Sequence, residues 1–265
     1  EHTPICGHSA LPALTAPVLY AWNRVTEARL ERNPTIKEEI RLRGFERDIP
    51  AGFLCYPVAQ AADITAFKAT VVPVGDDQIP MIEQTNEIVR RLNRLAGRDI
   101  LPEASALTAN VGRLPGVDGK AKMSKSPGHA LLLSTSREEI HEAVMRMYTD
   151  PNHLKVSDPG QVEGNVVFTY LDAFDDEPEA VAELKDHYRR GGLGDVVLKK
   201  RLQCKLERVV APIRERRHLF GGKKDYLMDV LRAGTARANA VTRDTLEEVK
   251  TALKIFRLDR DFSLT

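Results

Sequence analysis

Thr70-Val71-Val72-Pro73-Val74 narrows the choice of folds for this chain more than any other stretch. Four β-branched residues in five favour a strand. Gly75-Asp76-Asp77-Gln78 then turns it into a helix whose apolar positions are Met81, Thr85, Ile88, Val89 and Leu92. Strand, glycine turn and helix in that order build an open α/β sheet. Ligands collect at such strand ends, where glycine lets them approach the backbone and the helix N-terminus is polar. Asp76 or Asp77 is expected to serve as a plain helix cap, whereas Gln78 is harder to explain that way.

The 265 residues suffice for one large or two modest domains, and 42% are hydrophobic, enough for a core. Charge is nearly balanced at net +1, so any nucleic-acid contact must come from local basic patches. Cys6, Cys55 and Cys204 are odd in number and widely spaced, which argues against a disulfide framework and a zinc site and fits a reducing cytosol. No apolar run approaches the roughly 18 residues of a membrane span, and no basic-then-apolar signal pattern opens the chain. The first residue is Glu1 and not Met, which leaves processing or a missing N-terminal segment open.

Residues 1–15 read as irregular, and Ile5-Cys6-Gly7-His8 is given no role. Leu19, Trp22 and Val25 predict a helix running from Ala16 into Glu31, and Pro34-Thr35 opens another. Lys37 there is either an exposed helical lysine or a phosphate contact. Phe53 to Phe67 predicts a buried helix interrupted near its start by Pro57, with Ala59, Ala61 and Ala62 permitting close packing. A carboxylate in so apolar a helix is costly unless partnered, so Asp63 needs either a structural donor or a ligand.

Residues 97–112 read as a polar loop, leading through Arg113-Leu114 to a basic loop with Lys120, Lys122 and Lys125. Its ammonium groups suit a polyphosphate, although a solvated basic loop is the plainer alternative. A phosphate-binding Walker loop is excluded because it would need Gly at Leu114 and Ser or Thr at Ala121. Leu131-Leu132-Leu133 predicts a short strand, and Ser136 with Glu139 a capping box that opens a helix with core positions Ile140, Ala143, Val144 and Met147. Beyond Pro151 the chain reads as a helical bundle, best seen in Leu198, Leu202, Leu206, Val209 and Ile213. Arg189, Arg190, Lys199, Lys200, Arg201, Arg214, Arg216 and Arg217 are either solvated faces or a contact for an RNA backbone.

Lys122-Met123-Ser124-Lys125-Ser126 matches the KMSKS signature of class I aminoacyl-tRNA synthetases letter for letter. It follows Tyr56-Pro57-Val58-Ala59-Gln60-Ala61-Ala62-Asp63-Ile64 and Pro73-Val74-Gly75-Asp76-Asp77-Gln78, and precedes Met147-Tyr148-Thr149-Asp150-Pro151-Asn152. In that order the strings resemble the tryptophanyl-tRNA synthetases, over nearly the whole chain from about Asn33. The resemblance implies a doubly wound, Rossmann-like parallel-sheet α/β catalytic domain over residues 1–134 and a helical, tRNA anticodon-binding domain over 135–265. It also implies ATP and Mg2+, L-tryptophan, tRNA(Trp), a homodimer and a cytoplasmic setting without a membrane.

By the same resemblance Lys122 and Lys125, with Met123 and Ser124, hold the nucleotide phosphates. Gly75 and Asp77 lie on the nucleotide side, Gln78 and Gln60 on the amino-acid side, and Asp63 accepts the indole N–H. Gln60 departs from the pattern, since tryptophan enzymes often carry Met there and tyrosyl enzymes a Gln. A tyrosyl-tRNA synthetase is therefore the rival within the class, and a non-catalytic tRNA- or partner-binding protein the rival outside it. The second rival arises because Ile5-Cys6-Gly7-His8 lacks the leading His of a HIGH motif. On that ground the catalytic domain is expected to be incomplete at its N-terminus and the chain alone not to complete adenylation.

Overall fold

A computed structural model of the chain describes residues 3–45, 48–109, 114–117 and 130–256. In chain order its elements are α1 (Thr15–Trp22), α2 (Glu27–Glu31), α3 (Pro34–Arg43), α4 (Ala51–Ala66), β1 (Val71–Pro73), α5 (Ile79–Ala96), β2 (Ser105–Leu107), α6 (Arg137–Arg146), α7 (Val166–Phe174), α8 (Pro178–Arg190), α9 (Asp195–Gly221) and α10 (Lys224–Ala252). They form two compact units, residues 1–109 with 225–265, and residues 110–224. The expected boundary at 134/135 therefore falls inside the second unit. Among the described residues no helix is long and apolar enough to cross a membrane.

In the first unit β1 and β2 pair in parallel, with Val71 opposite Ser105, Val72 opposite Ala106 and Pro73 opposite Leu107. Parallel neighbours need a crossover, and α5 supplies it. Its buried stripe, Met81, Ile82, Gln84, Thr85, Ile88, Val89 and Leu92, contains all five positions expected from spacing. The β2 strand was not expected within the polar loop 97–112. Ser105-Ala106-Leu107 has little strand propensity of its own, and Asn86 of α5 holds the approach to it through both polar atoms, donating to Ala104 O and accepting from Ala104 N at 2.8 Å each.

Helix α4 is the centre of this unit. Val58, Ala61, Ala62, Ile64, Thr65 and Ala66 are buried along it, and Val58 and Ala61 share a core with Ala21, Leu30, Ile88 and Leu92. Pro57 does not interrupt the helix. It sits inside it and is buried, so the backbone bond that proline forfeits is tolerated within a packed element. The single helix expected from Ala16 to Glu31 is two, α1 and α2, and Leu19 and Trp22 are exposed while Ala21 is buried. C-terminal helix α10 also belongs here: Ala238 packs with Leu11, Leu14 and Ala66, and Val249 with the α4 and α5 core. The first and last segments of the chain are thus part of the α/β unit, a closure that local spacing does not reveal.

Asn33 fixes α3 against α5. Its Oδ1 accepts from Thr35 N at 3.0 Å as the α3 N-cap, while its Nδ2 donates to Gln84 Oε1 at 2.7 Å and Pro80 O at 3.2 Å. Asn33 and Gln84 are 0% and 1% exposed.

The second unit is helical. Ser136 and Glu139 form the expected capping box at α6, each side chain bonded to the other's backbone N–H. Leu131-Leu132-Leu133 makes no strand, and Leu132 and Leu133 are exposed. The buried α9 positions are Leu198, Leu202, Lys205, Leu206 and Val210, whereas Val209 and Ile213 face outward. Val210 keeps the interval of four set by Leu198, Leu202 and Leu206, whereas Val209 lies one residue, about 100°, away from it. Fully buried Asp175 is bonded by Arg201 Nε at 2.6 Å and Lys205 Nζ at 2.8 Å. Burial by itself would raise its pKa, but the bonds from Arg201 and Lys205 hold it below the ordinary carboxylate value of 3.8.

Two stability effects are expected. Asn33→Ala removes a cap and strands a buried amide, and should cost about 2–4 kcal/mol, read from the urea midpoint at unchanged slope. Asp175 has a depressed folded-state pKa, so its contribution is present above about pH 4 and disappears as pH falls through the folded value. Asp175→Asn should lower the thermal midpoint at pH 7 and shrink its fall between about pH 4 and pH 2. An equally steep acid loss in the variant would exclude Asp175 as its source.

Candidate active site

The buried side of α4 leaves one face for polar residues. Tyr56, Gln60 and Asp63 follow at intervals of four and three residues, so they stack along that face. Gln60 Nε2 reaches Gln78 Oε1 at 3.5 Å, at the long limit of a hydrogen bond. Gln78 Nε2 in turn donates to Asp77 Oδ2 at 3.2 Å. The turn bearing Asp77 and Gln78 is a 3-10 turn, Asp76–Gln78, directly after β1. Thr35 of α3 ties it down from outside, its hydroxyl donating to Asp77 O at 2.6 Å.

Gly75 opens this turn, and a Cβ built there would lie 2.7 Å from Asp77 Oδ1. Its backbone is extended, at φ −75° and ψ 161°, so glycine serves here to make room for the Asp77 carboxylate and not to relieve backbone strain. Neither Asp76 nor Asp77 caps a helix. Gly75 occupies the N-cap position of the turn and Gln78 that of α5, both without a side-chain cap bond. This corrects the expected Asp cap and leaves the Asp77 carboxylate to side-chain contacts. The Tyr56 hydroxyl has its pKa pushed up, first by burial and then by the charge of Glu39, with Arg43 opposing and Asp77 adding to the rise. It stays a neutral donor.

Gly75, Asp77, Gln78 and Gln60 are thus brought together at the C-terminal end of β1, with Asp63 one turn further along α4. Asp63 is not sealed in an apolar interior. Its side chain is 42% exposed, and its Oδ1 lies 2.9 Å from His8 Nε2. The partner required of it exists, in the N-terminal segment that sequence reading left without a role. Lys122, Met123, Ser124 and Lys125 lie outside the described residues.

Three contributors were missed. Tyr56 had a usable signal, since it lies four residues before Gln60 on the same helical face. Thr35 had none, because its position depends on how α3 packs on α5, and His8 meets Asp63 across 55 residues of sequence. Of the basic residues in the second unit, Arg189 is paired with Glu163 and Asp186, Arg201 with Asp175 and Glu177, and Arg214 with Glu207. Lys199 donates to Met145 O at 2.8 Å, and its pKa is lowered by burial. Arg190, Lys200, Arg216 and Arg217 are exposed.

The sequence profile of tRNA synthetases class I (W and Y) matches residues 11–211. A tryptophan–tRNA ligase of Clostridium longisporum is 53% identical over 249 residues, 93% of this chain and 73% of its own length. One of Lactococcus lactis subsp. lactis is 52% identical over 260 residues, covering 96% of this chain and 76% of the relative. Among solved structures, the tryptophanyl-tRNA synthetase of Campylobacter jejuni complexed with ADP and tryptophan superimposes with a TM-score of 0.69 at 25% identity, over 94% of this chain and 76% of that one. The strand-end turn, the polar face of α4 and these likenesses lead to one assignment: the chain belongs to the tryptophanyl-tRNA synthetases, within the class I family of tryptophan and tyrosine enzymes.

Proposed function

We propose that the chain activates L-tryptophan with ATP and transfers it to tRNA(Trp) in the cytoplasm, as one half of a homodimer. The observation that carries this reading is that α4 presents Asp63 on the same face whose Gln60 touches Gln78 of the β1 turn. Amino-acid and nucleotide contacts then converge at the strand end where an open α/β sheet receives ligands. Asp63 accepts the indole N–H, a donor with no other strong partner in an apolar pocket. Gln60 and Gln78 border the amino acid, with the Tyr56 hydroxyl near them. Gly75 and Asp77 lie on the nucleotide side of the turn, Gly75 making room for the Asp77 carboxylate.

In the first step a tryptophan carboxylate oxygen attacks the α-phosphorus of ATP. The new O–P bond forms as the bond from that phosphorus to the bridging oxygen breaks, and pyrophosphate leaves with its electron pair. In the second, a hydroxyl of the tRNA terminal ribose attacks the acyl carbon and AMP departs. The chemistry needs charge stabilisation and no side-chain nucleophile. Lys122 and Lys125 supply it at the β- and γ-phosphates, with Met123 and Ser124 completing that loop. Mg2+ travels with the nucleotide phosphates, as this ion commonly does. Among the described residues no three metal-ligating side chains come together. Exposed Arg190, Lys200, Arg216 and Arg217 are the cations available to an RNA backbone.

ATP–pyrophosphate exchange with tryptophan and tyrosine in parallel tests the reading. Tryptophan-dependent exchange supports it and overturns the expectation that the chain alone does not complete adenylation, whereas exchange driven better by tyrosine overturns the reading. The lysine variants are compared in a parent protein that is active before mutation. Lys122→Ala and Lys125→Ala should each slow adenylate formation far more than they weaken tryptophan binding, since their contacts tighten as pyrophosphate leaves. Unchanged single-turnover adenylation in both would remove the lysines from the mechanism. Asp63→Ala should keep the fold and lose about 2–5 kcal/mol of discrimination against analogues without the indole N–H. Discrimination equal to the parent's would return Asp63 to a structural role.

A further inference from the structure

One of the two Asp63 oxygens is already engaged. A carboxylate accepts and does not donate, so the 2.9 Å contact between Asp63 Oδ1 and His8 Nε2 requires the hydrogen on Nε2. His8 is not kept there by burial, because its side chain is 74% exposed. An exposed bond between two otherwise free side chains contributes little, since ordering both offsets the gain. Here the backbone carrying the imidazole is ordered by other contacts.

The hydrogen bonds among those contacts run to α10. Gly7 N donates to Thr235 Oγ1 at 3.0 Å, and Asn239 Nδ2 donates to Ala10 O at 2.8 Å. Thr235 and Asn239 are four residues apart and line one face of the helix. Immediately before Thr235 the helix accepts the segment at close range, since a Cβ at Gly234 would stand 2.0 Å from Ile5 O. Cys6 packs on the small core of Leu11, Leu14, Ala66 and Ala238. The segment is therefore bonded on both sides of His8, and the short 3-10 turn His8–Ala10 begins at the imidazole itself.

We propose that His8 is a positioning residue for Asp63. It occupies Oδ1, fixes the rotamer of the carboxylate, and leaves Oδ2 as the acceptor for the indole N–H. The inference rests on the reading of Asp63 as that acceptor and deepens it. A carboxylate free to rotate can turn its occupied or its open oxygen toward the pocket, whereas one held at Oδ1 presents the open oxygen without further ordering on binding. Selection for the N–H donor is then shared between α4 and a segment anchored on α10.

The test is calorimetric binding of L-tryptophan and of its benzothienyl analogue, in which sulfur replaces the indole N–H, to the intact chain and its variants. His8→Ala should cut the preference for tryptophan about tenfold, the worth of one hydrogen bond to a charged group. His8→Gln, whose amide nitrogen reaches to about the position of Nε2, should restore most of it. In an Asp63→Ala background His8→Ala should change nothing further. A His8→Ala preference equal to the parent's, alongside a lost preference in Asp63→Ala, overturns the role of His8 and leaves Asp63 as the acceptor. Equal preference in Asp63→Ala removes the acceptor itself. Should His8→Gln behave as His8→Ala, donation from Nε2 is excluded, and His8 contributes only shape.

Discussion

The Tyr56, Gln60 and Asp63 face of the candidate site depends on the packing of α4. The helix has small residues, Ala61, Ala62 and Ala66, on the side that meets its neighbours, together with the fully buried Val58. Small side chains bring helix backbones close, so α1, α5 and the N-terminal turns all approach the same stretch of α4. That closeness leaves only the remaining face for larger polar groups. Tyr56, Gln60 and Asp63 occupy it because 3.6 residues per turn leaves them nowhere else to go. A register shift of one residue in α4 would bury Asp63 and turn Ala62 outward.

The turn after β1 is the other half of the site, and it is held by contacts outside the strand pair. The pair is only three residues long on each side, too short to fix a loop by itself. Instead Thr35 of α3 grips Asp77 O, and α3 is in turn capped and bonded to α5 through Asn33. Two buried amides, Asn33 and Gln84, thus set the position of the turn through α3 and α5. Gln84 Nε2 has no partner among the described residues, and a buried amide donor left unsatisfied is tolerated where its other atom makes a short bond.

What the sequence disclosed follows the range of the interactions. Features set within a few residues were read directly, namely the α5 stripe, the Ser136 capping box and the Gly75 turn, whereas the shared face of α4 carried a local signal that was overlooked. Features set by partners far along the chain were not. The β2 strand takes its conformation from β1 and from Asn86, so three weak strand formers gave no sign of it. The return of α10 to the first unit depends on contacts such as that of Asn239 with Ala10, across more than two hundred residues. The exposure of Trp22 inverted a rule that places large apolar residues inside, because close packing in this core favoured the small Ala21 at the same turn.

The partnership of Asp63 shows how the two kinds of information combine. Local spacing establishes that a carboxylate in an apolar helix must be satisfied, without naming the donor. Tertiary structure names His8 and explains its persistence in a solvent-facing position, through anchoring at Gly7, Ala10 and the small residue Gly234. The donor is supplied by chain geometry and is not forced by desolvation, since the Asp63 side chain is 42% exposed. A donor on α4 itself would have had to sit at Ala59, Ala66 or Phe67, the positions three or four residues away other than Gln60. Ala66 is buried where a longer polar side chain would disrupt packing, and Gln60 is turned toward Gln78. The carboxylate therefore draws its partner from a distant segment, and the specificity of the pocket becomes linked to the docking of that segment on α10.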